Sequence, residues 1–160
     1  MNYATIRDRI YTLLTGVTNI GTVHKTQQYA ADWSKYFAKF KIVDPANAAQ
    51  HIIGTCWISR LSNQETDLVR SERRQLLKVD RVETWQIVLV RVFNDDGVTP
   101  SETAFQELLD AIQTKFRFEN FLGIPNTVAK SYPVQVNNSG LAMFGDVLCH
   151  RADMTLKVQQ

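Results

Sequence analysis

Residues 82–118 constrain the fold more than any other part of the chain, because they hold a strand, a turn and a helix in direct succession. The strand alternates with period two. Trp85, Ile87, Leu89 and Phe93 point one way, with Arg91 interrupting, while Thr84, Val88, Val90 and Val92 point the other way, with Gln86 among them. A strand that is apolar on both faces is usually covered on both faces. The helix after it carries Phe105, Leu108, Leu109, Ile112 and Phe116 as one helical stripe and can cover only one face. Thr99 is placed to cap that helix, Pro100 suits its first turn, and Glu102 sits where a capping-box carboxylate reaches back. Burying the stripe stabilises the fold by roughly 8–15 kcal/mol before ordering entropy is subtracted. Something else must cover the other face, and in so short a chain another subunit is the expected cover.

A chain of 160 residues is expected to form a single domain spanning residues 1–160, long enough to bury its own core. With 44% apolar and 21% charged residues it reads as an ordinary globular protein, and a net charge of +2 argues against a general nucleic-acid or membrane binder. No apolar run approaches the roughly 20 residues that span a bilayer. The start, MNYATIRDRIYTLL, has neither the basic opening nor the apolar core of a signal peptide. Cys56 and Cys149 each fall inside an apparent strand and read as buried free thiols, which fits a reducing cytoplasm where the protein is made.

Along the chain, Tyr3, Ile6, Ile10, Leu13 and Leu14 mark a short amphipathic helix stopped by Gly16. A turn around Asn19 and Gly21 leads to a short extended piece. Residues 27–40 are helix-like, with Tyr29, Trp33, Tyr36, Phe37 and Phe40 forming an aromatic stripe. Such a stripe faces a core or serves as a protein–protein surface, where Trp and Tyr are enriched. Residues 51–60 form a strand with Ile53, Thr55 and Trp57 on one face and Ile52, Cys56 and Ile58 on the other, and Gly54 marks a bulge or a close backbone approach. Residues 61–81 are dense in charge, with Arg70, Arg73, Arg74, Lys78 and Arg81 against Glu72 and Asp80. They read as a long hairpin arm or a loop whose far limb becomes the central strand. Pro133 restricts its neighbours to a sheet edge or a strand entrance, and Asn137, Asn138 and Gly140 signal a further turn. In the last strand, Leu148, His150, Ala152, Met154, Leu156 and Val158 face one way, and Arg151, Asp153, Thr155 and Lys157 the other. The expected class is α+β: an antiparallel or mixed sheet of about four strands, helices packed mainly on one face, and the charged arm at 61–81.

Catalytic signatures are missing. Neither phosphate-cradling loop occurs, nor HExxH nor CxxC, so no cofactor and no metal is expected, and the reading is that the chain is not an enzyme. His150 sits on the apolar side of its strand, where a hydrogen-bonded core histidine is expected rather than a base. Asp95, Asp96 and Gly97 read as a turn. The Arg70–Arg81 cluster has no interleaved aromatics for stacking bases, so a nucleic-acid-binding module is the weaker alternative.

Three stretches, YAADWSKYFAKF, IIGTCWISR and the C-terminal FGDVLCHRADMTLKVQQ, together resemble the tail-terminator, or tail-completion, proteins of long-tailed bacteriophages. Trp33, Trp57, Phe144, Gly145, Cys149 and His150 match the family pattern, in structural roles. The resemblance implies a structural virion protein forming a hexameric ring that caps the tail tube, stops its polymerisation and meets the head connector. Its partners would be copies of itself, the tail tube protein and the connector, with DNA only as passing cargo and no membrane. A neighbouring head–tail connector or neck protein is the closest alternative. In a ring one patch meets a different patch on the next copy. The arm residues Arg70, Arg73, Arg74 and Lys78 are expected to supply one patch, and the aromatic helix or a sheet edge, with Trp33, Phe37 and Trp57, the other.

Overall fold

In a computed structural model, residues 3–28, 33–44, 48–67, 79–94, 101–124 and 128–160 are described. The fold is α+β. Helices α1 (Tyr3–Thr15), α2 (Trp33–Phe40) and α3 (Ser101–Arg117) accompany strands β1 (Thr22–His24), β2 (Lys41–Val43), β3 (His51–Asp67), β4 (Val79–Val92), β5 (Lys130–Ser131), β6 (Gln135–Phe144) and β7 (Val147–Gln159). The strands form one mixed sheet of seven, ordered β1-β3-β4-β7-β5, with β2 also on β3 and β6 also on β7. Among the described residues only the β1–β3 pairing is parallel. Three of the expected four strands are β3, β4 and β7; the fourth is expected as a short strand beside Pro133, where the ten-residue β6 follows instead. The short β1, β2 and β5 were not separable from loops by periodicity, because a segment of two or three residues has no period to read.

The two-faced reading of the central strands holds. On one face, Cys56, Ile58, Trp85, Ile87, Leu89, Ala152, Met154, Leu156 and Val158 pack with Ile6, Ile10, Leu13 and Leu14 of α1 and with the α3 stripe, Phe105, Leu108, Leu109, Ile112 and Phe116. On the other face, Ile53, Trp57, Val88, Val90 and Cys149 pack with Phe40 of α2. The notch at Gly54 is the close approach that the glycine signalled. There Gly21, at φ +89°, crosses so near that a Cβ on it would collide with the Gly54 carbonyl. Any larger residue at Gly21 would meet both a strained backbone and a steric block.

Two local expectations give way to tertiary structure. Asn137, Asn138 and Gly140 do not turn the chain but lie within β6, paired with β7 through a register shift between Val136 and Asn138. The turn comes later, at Gly145 (φ 62°) and Asp146. Nine paired residues of ladder against β7 outweigh the local preference of Asn and Gly for turns, and the shift absorbs the extra residue. Glu102, meant to reach back as a cap, instead turns its two carboxylate oxygens toward Gln106 and His150. Thr99, Pro100 and the Asp95–Gly97 turn lie outside the described residues, as do Tyr29 and residues 68–78 of the arm. Among the described residues no helix is long and apolar enough to cross a membrane.

Candidate functional site

The β3–β4 hairpin runs past the end of the β4–β7 ladder. β3 pairs with β4 as far as Asp67↔Val79, whereas β7 meets β4 only from Val82 onward. The described part of the 61–81 segment is therefore the two limbs of a hairpin, and its far limb continues into the central strand as the sequence implied. A buried polar cluster ties down its base. The Glu83 carboxylate, 2% exposed, accepts the Trp85 indole N–H at 3.0 Å and pairs with the Arg60 guanidinium at 3.3 Å. Arg60 in turn lies 4.7 Å over the Tyr3 ring, which stacks on Trp85 at 5.1 Å. Further out, Arg81 forms an ion pair with Glu65 across the two limbs.

Phe37 and Trp57, two of the residues expected at a subunit interface, come together on the second face of the sheet, Phe37 half-buried at its margin. The Trp57 indole is buried within the chain and stacks on Phe144 at 6.2 Å. Trp33 opens α2. Arg70, Arg73, Arg74 and Lys78 lie outside the described residues. The inference that the second face needs another subunit to cover it is corrected. Ile53, Trp57, Val88 and Val90 are already buried beneath Phe40, Phe37 and Phe144 of the same chain. The sequence could not show this, because Phe144 reaches Trp57 only through the β6–β7 hairpin.

What stays open is the edge of the sheet. Among the described residues β6 pairs with β7 alone, so its outer backbone meets no strand. β6 reads QVNNSGLAMF, with no charged residue and no proline, the devices by which edge strands are usually blunted. Leu141 (54% exposed) and Met143 (63%) rise from it, and Leu148 (39%), paired across from Met143, extends the patch. These residues escaped the sequence reading because the Asn–Gly signal placed a turn there. The alternation of Leu141 and Met143 was the signal that could have found them. At the opposite edge, β3 pairs with β1 only at residues 55–57 and with β2 only at residues 51–53, leaving residues 58–67 without an outer strand among the described residues. Leu61 stands 56% exposed there.

His150 is buried, as expected for a core histidine, and it clasps the start of α3. Its Nε2 lies 2.9 Å from Ser101 Oγ and its Nδ1 3.1 Å from Glu102 Oε2, while Phe105 stacks on the ring at 5.0 Å. Burial pushes its pKa below the ordinary value, against the opposing pull of Glu102. The sequence hydroxyl–imidazole–carboxylate is that of a hydrolytic triad. Here, however, Ser101 Oγ accepts the Asn94 N–H at 3.1 Å, and the Ser101 N–H donates to the Asn94 carbonyl at 3.2 Å. The Ser101 hydroxyl oxygen and the Ser101 N–H thus join the start of α3 to the end of β4, and His150 clasps the same turn.

The remaining polar chemistry is plain. Both cysteines are free and buried, and burial pushes the Cys149 thiol up to about 11 and Cys56 higher still, so neither is a ready nucleophile. Among the described residues no cluster of three or more His, Cys, Asp or Glu could hold a metal. An open groove of about 690 Å3 between the turn after α1 and the outer flank of α3 is lined by Glu107, Asp110, Lys115, Phe118 and Glu119, among others, without a histidine or cysteine. No family model matches the chain, and no functionally curated protein matches it.

Proposed function

We propose that this protein is a structural subunit of a bacteriophage tail, a tail terminator that assembles into a ring, caps the tail tube and presents a surface to the head connector. The observation that carries this reading is the unblunted β6 edge with its exposed Leu141, Met143 and Leu148, in a chain whose central strands bury Ile53, Trp57, Val88 and Val90 beneath its own side chains. A sheet that covers its central strands internally but leaves an uncharged edge strand open is suited to completion by neighbouring copies. The resemblance of the aromatic helix, the β3 strand and the C-terminal strand to tail-terminator proteins supports the same reading. The 61–81 hairpin would be the projecting arm, the ring a hexamer, and the protein's place the neck of the virion after synthesis in the host cytoplasm.

The decisive experiment is mass in solution, by light scattering behind a sizing column over a wide concentration range. A mass of six subunits, with ring-shaped particles by electron microscopy, is the expected result. A monomer at every concentration, which also fails to associate with purified tail tubes, counts against the ring.

A further inference from the structure

We infer that the ring closes by strand addition, the middle of the β6 edge of one copy pairing antiparallel with the middle of the open β3 edge in the next, so that one sheet runs through successive subunits. This rests on the ring reading above and specifies which surfaces meet.

Direction comes first. β3 to β4, β4 to β7 and β7 to β6 are each antiparallel, so β6 runs opposite to β3 within one subunit. A ring whose axis lies roughly along the strands preserves those directions from copy to copy. The incoming β6 therefore meets β3 antiparallel, continuing the dominant pattern of the sheet. Length comes second: each edge carries a bulge, β3 between Arg60 and Ser62 and β6 between Val136 and Asn138, so the faces of the two edges stay in phase over residues 62–64 of β3 against 138–140 of β6, with Leu61 and Leu141 at the end of that stretch.

Side chains then fall into place. In the register that sets residue 62 against 140 and 64 against 138, Asn63 lies opposite Ser139, and Leu61, at the β3 bulge, falls level with Leu141. Leu61 and Leu141 are both exposed in the single chain. Asn63 is level with Glu83 and Ser139 with Ala152, and Glu83 and Ala152 belong to the helix-covered side of the sheet. Asn63 and Ser139 therefore project on the same side, as opposed residues in an antiparallel ladder must. Charge does not oppose the contact. β6 carries none, on β3 Arg60 and Glu65 are already paired with Glu83 and Arg81 of their own chain, and Asp67 lies beyond the stretch that pairs. The β6-to-β3 contact is heterologous, as a closed ring requires, whereas β6 against β6 would stop at a two-fold dimer.

The test is cysteine crosslinking of full-length protein. The buried native thiols leave a quiet background. Asn63→Cys and Ser139→Cys are made as separate variants and mixed under a mild oxidant. A covalent dimer only in the mixture, and a ladder of multimers from the double variant, is the expected result. Leu141→Lys, at an exposed position, is expected to keep the fold by circular dichroism and to weaken assembly by about tenfold or more in apparent dissociation constant. A dimer from Ser139→Cys alone would replace the proposal with a two-fold β6–β6 contact. Full ring mass without the mixed crosslink, and undiminished by Leu141→Lys, would overturn strand addition while leaving the ring intact. A monomer throughout, which also fails to associate with purified tail tubes, would overturn both.

Discussion

The two faces of the sheet are closed by different means. The first lies under two long helices, which deliver Ile6, Ile10, Leu14, Phe105, Ile112 and Phe116 onto Trp85, Ile87, Leu89 and Met154. The second lies under one short helix and the sheet's own terminal hairpin, with Phe40 and Phe144 meeting edge to face at 5.4 Å over Trp57 and Val88. The first is a layer of separate elements, as hydrophobic patterning anticipates. The second is a fold-back that patterning cannot see. The difference teaches that apolar residues on both sides of a strand do not by themselves call for a partner subunit. In this chain the unmet need lies at the edges.

The sharpest way to test that contrast is to hollow each face in turn. Trp85→Ala, at a fully buried site on the first face, is expected to cost about 4–5 kcal/mol in urea unfolding. Phe40→Ala, beneath the thinner cover, is expected to cost about 3 kcal/mol, because half-buried Phe37 and Val147 beside it can settle into the gap. Equal losses would mean that the second face is packed as rigidly as the first.

Glu83→Ala probes the base of the hairpin, where the helix-covered face meets the arm. It leaves the Trp85 indole N–H without its acceptor and Arg60 without its carboxylate. A loss of about 2 kcal/mol is expected, discounted because the Arg60 side chain is 35% exposed. Glu83→Gln, which keeps an acceptor for the indole, is expected to recover part of it, measured by the same unfolding curves. No difference between the two variants would mean that the indole hydrogen bond contributes little.

The smallest effect is set by protons. Burial lowers the pKa of His150 below its ordinary 6.5, and burial does the same to His24, helped by Lys39. Between the folded value and 6.5 the unfolded chain therefore binds more protons, and stability rises with pH. The contribution is complete above about pH 6.5 and is lost as pH falls through the folded value. His150→Gln is expected to flatten this slope and leave only the His24 part, read as denaturation midpoints from pH 7.5 to 5. An unchanged slope would assign the acid sensitivity elsewhere.

Much of this fold was legible before any coordinates. The faces of β3, β4 and β7, the α3 stripe, the free thiols, the close approach at Gly54 and the buried role of His150 follow from period, composition and burial preference. Each of these is a property of one element or of a residue's own chemistry, so short-range information suffices. The candidate site was less legible. Trp57 was chosen as an interface residue on the strength of an aromatic side chain, and its neighbour Phe144 lies far along the chain. Leu141 and Met143 were hidden by a turn signal that the β7 ladder overrides.

The amino-acid sequence determined the local alphabet of this protein: which residues are helical, which side of each strand is apolar, and that catalytic motifs are missing. Those depend on side-chain size, polarity and backbone preference, which each residue carries with it. Tertiary structure alone decided which strand lies beside which, that among the described residues no strand covers the outer edge of β6, that Glu102 turns to His150, and that the apolar part of the second face is covered from within. Each of these depends on contacts between residues distant in the chain. Their free energy exists only once the whole sheet has assembled, and it is large enough to override a local preference such as that of Asn137, Asn138 and Gly140.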